Sequence, residues 1–148
     1  MTLEDALTEL DAAACTAWGE AAGEGYDGQV AVVWVLRNRA SDGRHGFSII
    51  EVALRPKQFS CWNEPSKTRV LARRLVNDEP LARYVELPSC RRAARDVLEG
   101  RVPDPTKGAT HYYAPKAMDP PGRVPKWARG KKPCAAIGGH LFFNDVKW

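Results

Sequence analysis

The sequence predicts a mainly helical (α+β) domain with one small β element near its C-terminus. Apolar side chains recur at three- and four-residue steps through much of the first hundred residues, as on the buried face of a helix. After Gly108 the pattern changes, and short aromatic segments occur in and just after a region that holds seven of the eleven prolines. A length of 148 residues suits a single core, so one domain over residues 1–148 is expected.

The first helix is predicted over residues 3–22, and it ends at Gly23 and Gly25. Its apolar stripe has seven members: Leu3, Leu7, Leu10, Ala14, Ala17, Trp18 and Ala21. The second element covers residues 26–40. Its β-branched stretch at residues 30–36 favours a strand by propensity, but the unbroken length of the element favours a central helix that is apolar on all sides.

Three shorter helices are predicted at residues 48–54, 66–77 and 89–99. Gly100 follows the last of them, at the position where a glycine commonly ends a helix. Residues 110–113 and 141–143 are short and aromatic, which is typical of strands. We expect these two segments to pair across the proline-rich loop.

The charge of the chain is unevenly distributed. Residues 1–100 carry 13 basic and 15 acidic side chains, a net of −2, whereas residues 101–148 carry 9 basic and 3 acidic ones, a net of +6. A basic C-terminal third favours an anionic partner, which could be a nucleic acid, an anionic lipid or an acidic cell-wall polymer, or it could simply be a solvated surface. The charge alone leaves these alternatives open.

The cysteines and the N-terminus indicate the compartment. Cys15, Cys61, Cys90 and Cys134 lie too far apart in sequence for a zinc motif, and we expect free structural thiols. No apolar run approaches the roughly 20 residues of a membrane span, so no transmembrane segment is expected. The acidic N-terminus, with no apolar segment behind it, lacks the pattern of a secretion signal. We therefore expect synthesis in the cytoplasm. A monomer is expected as well.

Glu20 is the first candidate for chemistry. It lies at the end of the first predicted helix, after Ala17 and Trp18, where partial burial would favour the protonated carboxyl that a general acid needs. The alternative is a solvated glutamate at a helix end. A two-carboxylate glycosidase needs a second acidic group, but none of the acidic residues considered has a distinctive setting. Those residues are Glu24, Asp27, Asp42, Glu51 and Glu64.

Other motifs are weaker. The cluster at residues 58–63 combines aromatic and amide side chains, as in a loop that contacts sugars, although its rings could equally be core residues. Tyr112 and Tyr113 allow the same two interpretations. The three histidines are far apart and the cysteines are not clustered, so no metal is expected. No phosphate-binding glycine loop or Gly-x-Ser-x-Gly elbow is present, and no cofactor is expected.

Several segments together resemble the SleB-type cell-wall hydrolase family, whose best-known members are spore cortex-lytic enzymes. The resemblance covers roughly residues 10–143, and its blocks occur in the expected order. They are residues 17–25 (AWGEAAGEG), 26–33, 35–39, 47–52, 58–60 (QFS), 108–115 (GATHYYAP), Trp127 and 137–143 (IGGHLFF). The chain departs from the family pattern at Ala22, where a basic residue is common, and at Ala114, where an asparagine is frequent.

The resemblance implies a lysozyme-like catalytic domain that cleaves the glycan strands of peptidoglycan. Glu20 would protonate the oxygen between MurNAc and GlcNAc and then act as base, while the C6 hydroxyl of the muramoyl residue closes a 1,6-anhydro ring. In such a lytic transglycosylase the substrate supplies the nucleophile, so one carboxylate suffices. Tyr113 would orient the sugar or stabilise positive charge. The groove would be shaped or supported by four further residues: Asn38, Gln58, Phe59 and Tyr112. Asn38 and Arg39 could instead make purely structural contacts at a helix end.

Two other functions stay open at this stage. One is a hydrolytic muramidase on the same fold, and the other is a non-catalytic module that binds cell wall or nucleic acid. Because the resemblance points to peptidoglycan, we expect no nucleic-acid partner. A chain that is nearly all catalytic domain and lacks a secretion signal would suit a phage endolysin that a holin releases. A virion-associated lysin or a piece of a larger enzyme would suit the same observations.

Overall fold

The computed structural model describes all residues, 1–148, and consists of a helical body with a small sheet at one side. The helices are α1 (Leu3–Ala6), α2 (Glu9–Ala21), α3 (Gly25–Asp42), α4 (Ile49–Leu54), α5 (Lys67–Val76) and α6 (Leu87–Leu98). The strands are β1 (His111–Tyr113), β2 (Ala135–Ile137) and β3 (His140–Phe143). Four short 3₁₀ turns lie at Ala22–Glu24, Ser60–Trp62, Pro115–Ala117 and Lys126–Ala128. The predicted fold class, mainly helical with a small C-terminal β element, is confirmed.

The first helix differs from its prediction, because residues 3–22 form two helices. Leu7 is extended, with φ −74° and ψ 142°, and Thr8 starts α2 by accepting a hydrogen bond from the backbone N–H of Asp11. A threonine hydroxyl satisfies an N–H group that would otherwise lack a partner at a helix start. The apolar spacing runs through this break, so the periodicity alone did not reveal it.

The core forms where α2, α3 and α6 pack against one another. Ala12, Ala13 and Ala17 of α2 are completely buried, and such small side chains let the helix axes approach closely. The β-branched stretch of α3 is buried nearly all round, with Val30 and Leu36 at its two ends. The prediction of a central helix, rather than a strand, is therefore confirmed.

The sheet is antiparallel with strand order β1–β3–β2. Tyr112 pairs with Phe142 across β1 and β3, which confirms the predicted pairing of the two aromatic segments. Strand β2 was not predicted, because the sequence of Ala135–Ile137 is short and only weakly strand-forming. Alternate residues point to opposite faces, so Tyr112 and Phe142 share one face and Tyr113 and Phe143 share the other.

All four cysteines are free in this structure, at Cys15, Cys61, Cys90 and Cys134. Burial raises the pKa of the Cys15 thiol to about 12, so this side chain stays neutral in the core. No helix combines the length with the apolar composition that a membrane span requires. No group of three or more His, Cys, Asp or Glu side chains is arranged to hold a metal ion.

Candidate active site

Glu20 lies in the last turn of α2 and borders a cavity of about 390 Å³ between the helical body and the sheet. The helix ends one residue later, and Gly25, with φ +75°, allows the chain to turn directly into α3. Glu20 is partly buried. The lining comes from four parts of the chain: Gly19 and Glu20 of α2, Ser60, the segment with Tyr112, Tyr113, Ala114, Ala117 and Met118, and His140 of β3. Glu20 is the only carboxylate among them.

Tyr112 holds the Glu20 carboxyl directly. Its hydroxyl donates a hydrogen bond of 2.5 Å to Oε1 of Glu20. Burial, and next the negative charge of Glu20, keep the pKa of Tyr112 well above its usual range, so the phenol stays a protonated donor. With Oε1 serving as acceptor, the proton of a neutral Glu20 carboxyl would reside on Oε2. The contact therefore leaves one oxygen of Glu20 free to donate a proton.

Gly19 allows the segment at residues 60–68 to approach the helix beside Glu20. A Cβ atom at Gly19 would lie 2.3 Å from Oγ1 of Thr68 and 2.6 Å from Cβ of Cys61. Burial, and next the charge of Glu20, raise the pKa of Cys61, so its thiol presents no negative charge to the carboxyl. The close packing of residues 60–68 against α2 thus explains why a glycine occupies this position in the helix.

The predicted groove residues fall into two groups. Tyr113 and Tyr112 line the cavity, whereas Phe59 and Gln58 lie behind its wall. Phe59 is 2% exposed, and its ring centroid lies 6.4 Å from that of Tyr112. Gln58 accepts a hydrogen bond of 3.2 Å from the buried Arg39 guanidinium. Phe59 therefore packs against a lining side chain, whereas Gln58 contacts Arg39, which does not line the cavity.

Arg39 and Asn38 connect α3 to the chain just before β1. Arg39 donates from Nε to the Thr110 carbonyl oxygen at 2.7 Å, and its guanidinium carbon lies 4.7 Å from the centre of the Phe59 ring. Asn38 donates from Nδ2 to the Ala109 carbonyl oxygen and to Oδ2 of Asp104, both at 2.9 Å. Asn38 does not reach the cavity, and its contacts fix the position of the strand that carries both tyrosines.

Trp62, in the cluster that could have contacted sugars, belongs to the core. Its ring is 2% exposed, and Nε1 donates a hydrogen bond of 2.9 Å to the Thr16 hydroxyl. The core interpretation therefore applies to Trp62 and to Phe59. Of the predicted loop at residues 58–63, Ser60 is the residue that lines the cavity.

The five acidic residues that were considered as partners for Glu20 differ in their position relative to the cavity. Four lie outside the cavity: Asp27, Asp42, Glu51 and Glu64. Glu24 reaches it indirectly, because its carboxylate contacts Nδ1 of His140, which is a lining residue. Residue-by-residue reasoning missed His140, although it lies in the block at residues 137–143, which resembles the family.

The remaining histidines lie elsewhere. His111 packs between Trp127 and Trp148 on the outer face of the sheet, with ring centroids 5.1 and 5.0 Å away. Burial, and next the positive charge of Arg39, lower the pKa of His111 to about 4, so it is neutral at pH 7. His45 lies between α3 and α4, against Trp148. His140 is therefore the histidine of the cavity.

Replacing Tyr112 with phenylalanine tests the contact with Glu20. Tyr112→Phe keeps the ring that packs against Phe142 but removes the donor to Oε1. We expect the turnover rate on cell-wall substrate to fall about 10- to 100-fold, because a hydrogen bond to a charged group contributes roughly 1.5–3 kcal/mol. The measurement is kcat by release of soluble fragments. A variant with unchanged kcat would show that the contact does not assist Glu20.

The cell wall hydrolase family model matches residues 23–143, so the chain belongs to the cell wall hydrolase family. Two similar curated proteins are spore cortex-lytic enzymes. The one from Halalkalibacterium halodurans is 30% identical over 127 residues, and the one from Bacillus subtilis is 27% identical over 131 residues. The alignments cover 86% and 84% of this chain but 32% and 34% of those proteins, so the chain spans about a third of their length.

Two solved structures have the same fold. They are the catalytic domain of the Bacillus cereus SleB protein and the catalytic domain of the germination-specific lytic transglycosylase SleB from Bacillus anthracis. Each superposes with a TM-score of 0.65 and 25% identity over 94% of this chain, covering 89% and 93% of the respective domain. The chain is thus a cell-wall hydrolase of the SleB type with a lysozyme-like fold, and the resemblance in the sequence is confirmed.

Proposed function

We propose that residues 1–148 form one catalytic domain that acts as a monomer and cleaves the MurNAc–GlcNAc backbone of peptidoglycan by lytic transglycosylation. The observation that carries the proposal is the Glu20 carboxyl at the cavity, with Oε1 held by Tyr112 and Oε2 left to carry a proton. The similar B. anthracis domain belongs to a lytic transglycosylase, which supports the same reaction class. We propose Glu20 as the catalytic acid.

In the proposed reaction, Glu20 gives its proton to the bridging oxygen while the bond from that oxygen to C1 of MurNAc breaks. Positive charge develops at C1, and the C6 hydroxyl of the same residue attacks to close the 1,6-anhydro ring. Its proton passes to a base in the site, the role that the family resemblance gives to Glu20. A hydrolase with two carboxylates would need a second acidic side chain in the site. Glu20 is the only carboxylate among the lining residues, which favours a nucleophile from the substrate.

The sheet supplies the opposite wall of the proposed sugar site. Tyr113 lies between the cavity and the aromatic cluster on the outer face, and its ring stacks on Phe143 at 5.9 Å. A tyrosine held in this way offers a rigid ring and a hydroxyl to a pyranose. We propose that Tyr113 orients the sugar, and that Tyr112 acts on Glu20. Gln58, Phe59 and Asn38 support this wall from behind.

The charge of the C-terminal third suits the same substrate. Residues 101–148 carry a net of +6 from 9 basic and 3 acidic side chains, and peptidoglycan carries carboxylates on its peptide stems. Attraction between opposite charges raises the rate of encounter and weakens with salt. We propose the peptidoglycan strand, rather than a nucleic acid, as the anionic partner. Neither a metal nor another cofactor takes part in the proposed reaction.

Mass analysis of digested, purified sacculi tests the proposal. We expect soluble fragments that end in 1,6-anhydro-MurNAc and resist borohydride reduction. Reducing MurNAc ends would instead identify a hydrolytic muramidase on the same fold. Binding to sacculi without release of any fragment would identify a non-catalytic wall-binding module, and both results would overturn the transglycosylase proposal.

Delivery to the cell wall belongs to the same proposal. We propose that the protein acts as an endolysin, which reaches its substrate from the cytoplasm when a holin opens the membrane. Expression together with a holin should then lyse cells, whereas expression alone should not. Lysis that does not depend on the holin would contradict this route but not the reaction.

A further inference from the structure

Glu24 and His140 form a buried pair next to the cavity. Glu24 precedes α3 and His140 begins β3, and Oε2 of Glu24 contacts Nδ1 of His140. Both of these atoms are fully buried. The other carboxylate oxygen, Oε1, accepts a hydrogen bond of 2.5 Å from the backbone N–H of Gly139. One carboxylate therefore fixes both the turn before β3 and the orientation of the imidazole ring.

The partner of Nδ1 determines the chemistry of the imidazole. An ionised carboxylate can only accept a hydrogen bond, so any hydrogen between Oε2 of Glu24 and Nδ1 of His140 belongs to Nδ1. In the neutral ring Nε2 then carries a lone pair. His140 lines the same cavity as Glu20. An imidazole thus borders the same space as the proposed proton donor.

Tyr112 links the two groups. Its hydroxyl holds Glu20, and its ring meets the His140 ring edge to face, with centroids 5.0 Å apart. The arrangement of a carboxylate, an imidazole and a reacting site is the one that orients a histidine base in other enzymes. The cavity therefore contains a separate group for each of the two proton transfers, the Glu20 carboxyl and the His140 imidazole. The sequence had indicated only the carboxyl.

We propose that His140 is a catalytic residue and that Nε2 accepts the proton of the attacking C6 hydroxyl. This inference rests on the proposed function, and it reassigns the base that the family resemblance gives to Glu20. Glu20 donates its proton to the bridging oxygen, and the C1–oxygen bond breaks. The C6 oxygen bonds to C1 and its proton passes to Nε2. After product release His140 returns a proton to solvent, and Glu20 takes one up.

The surroundings of His140 suit this role. The titratable groups that face it are Glu24, Tyr112 and, across the cavity, Glu20, while Phe142 supplies an apolar neighbour. Glu24 carries the charge opposite to that of an imidazolium and so stabilises it. The cation Arg39 acts on Tyr112 and Glu20 from behind the wall.

The decisive variant is His140→Asn, because its amide N–H can replace Nδ1–H as a donor to Glu24 while Nε2 is lost. We expect kcat on sacculi to fall about 100-fold or more, the usual contribution of a general base, with KM within about twofold. The wild type should lose activity as the pH falls and the base becomes protonated, and this acid limb should vanish in the variant. His45→Asn, a substitution outside the cavity, should leave rate and acid limb unchanged.

Two further variants keep the test informative if His140→Asn folds poorly. Added imidazole should restore part of the rate of His140→Ala, since it can take the place of the missing base. Glu24→Gln should lower the rate, because the imidazolium that forms during the reaction loses its countercharge. A His140→Asn enzyme with wild-type kcat, or one that is slower with an unchanged acid limb, would overturn the inference. A wild type that forms no anhydro ends would instead overturn the proposed function.

Discussion

Glu20→Gln should abolish lysis, with kcat on purified sacculi reduced by about 10³-fold or more. The amide retains the size of the carboxyl and an oxygen that can accept the Tyr112 hydroxyl, but it has no proton to give to the bridging oxygen. Because the contacts of the side chain are kept, we expect the melting temperature and the binding of sacculi to match the wild type. The measurements are turbidity clearing, release of anhydro-muropeptides and co-sedimentation with sacculi.

A matched control comes from a surface carboxylate. Glu64 is exposed and pairs with Arg69 at 3.4 Å, away from the cavity, so Glu64→Gln makes the same chemical change outside the site. It should retain wild-type activity, since exposed ion pairs contribute little. Full lysis by Glu20→Gln would show that the protein disrupts walls without this acid. A non-catalytic binding module would then be the better account.

Much of the fold could be predicted because its signals are local. The spacing of apolar residues indicated the helices, and the length of α3 outweighed the strand propensity of its β-branched stretch. The aromatic segments indicated β1 and β3. Two features were not predicted, because the spacing of apolar residues does not record their causes. The hydroxyl of Thr8 starts a new helix within a continuous apolar stripe. Strand β2 is stabilised by its pairing with β3 rather than by the strand propensity of its own residues.

The site could be predicted only in part, because its groups meet through tertiary packing. Glu20 could be selected from its position at a helix end and from the resemblance. The contact of Glu24 with His140 joins residues 116 positions apart, and neither has a local setting that indicates the other. Whether an aromatic ring contacts a sugar or the core is also decided by packing, as the burial of Phe59 and Trp62 shows.

Gly19→Ala should destabilise the protein, although alanine ordinarily favours a helix over glycine. The new Cβ would lie 2.3 Å from Oγ1 of Thr68, a stiff side chain that is itself 2% exposed, and 2.6 Å from Cβ of Cys61. Overpacking of this kind costs about 1–3 kcal/mol. For a domain of this size that loss lowers Tm by about 3–10 °C. Thermal unfolding followed by circular dichroism measures it.

The same substitution should also lower activity, because relief of the clash separates α2 from residues 60–68 and moves Glu20 relative to Tyr112. Gly23→Ala is the matched control: its added Cβ would meet no atom within 4 Å, and we expect unchanged or slightly higher stability with normal activity. Equal stability of the two variants would contradict the close approach at Gly19. A stable Gly19→Ala with reduced kcat would show that this approach serves mainly to position the acid.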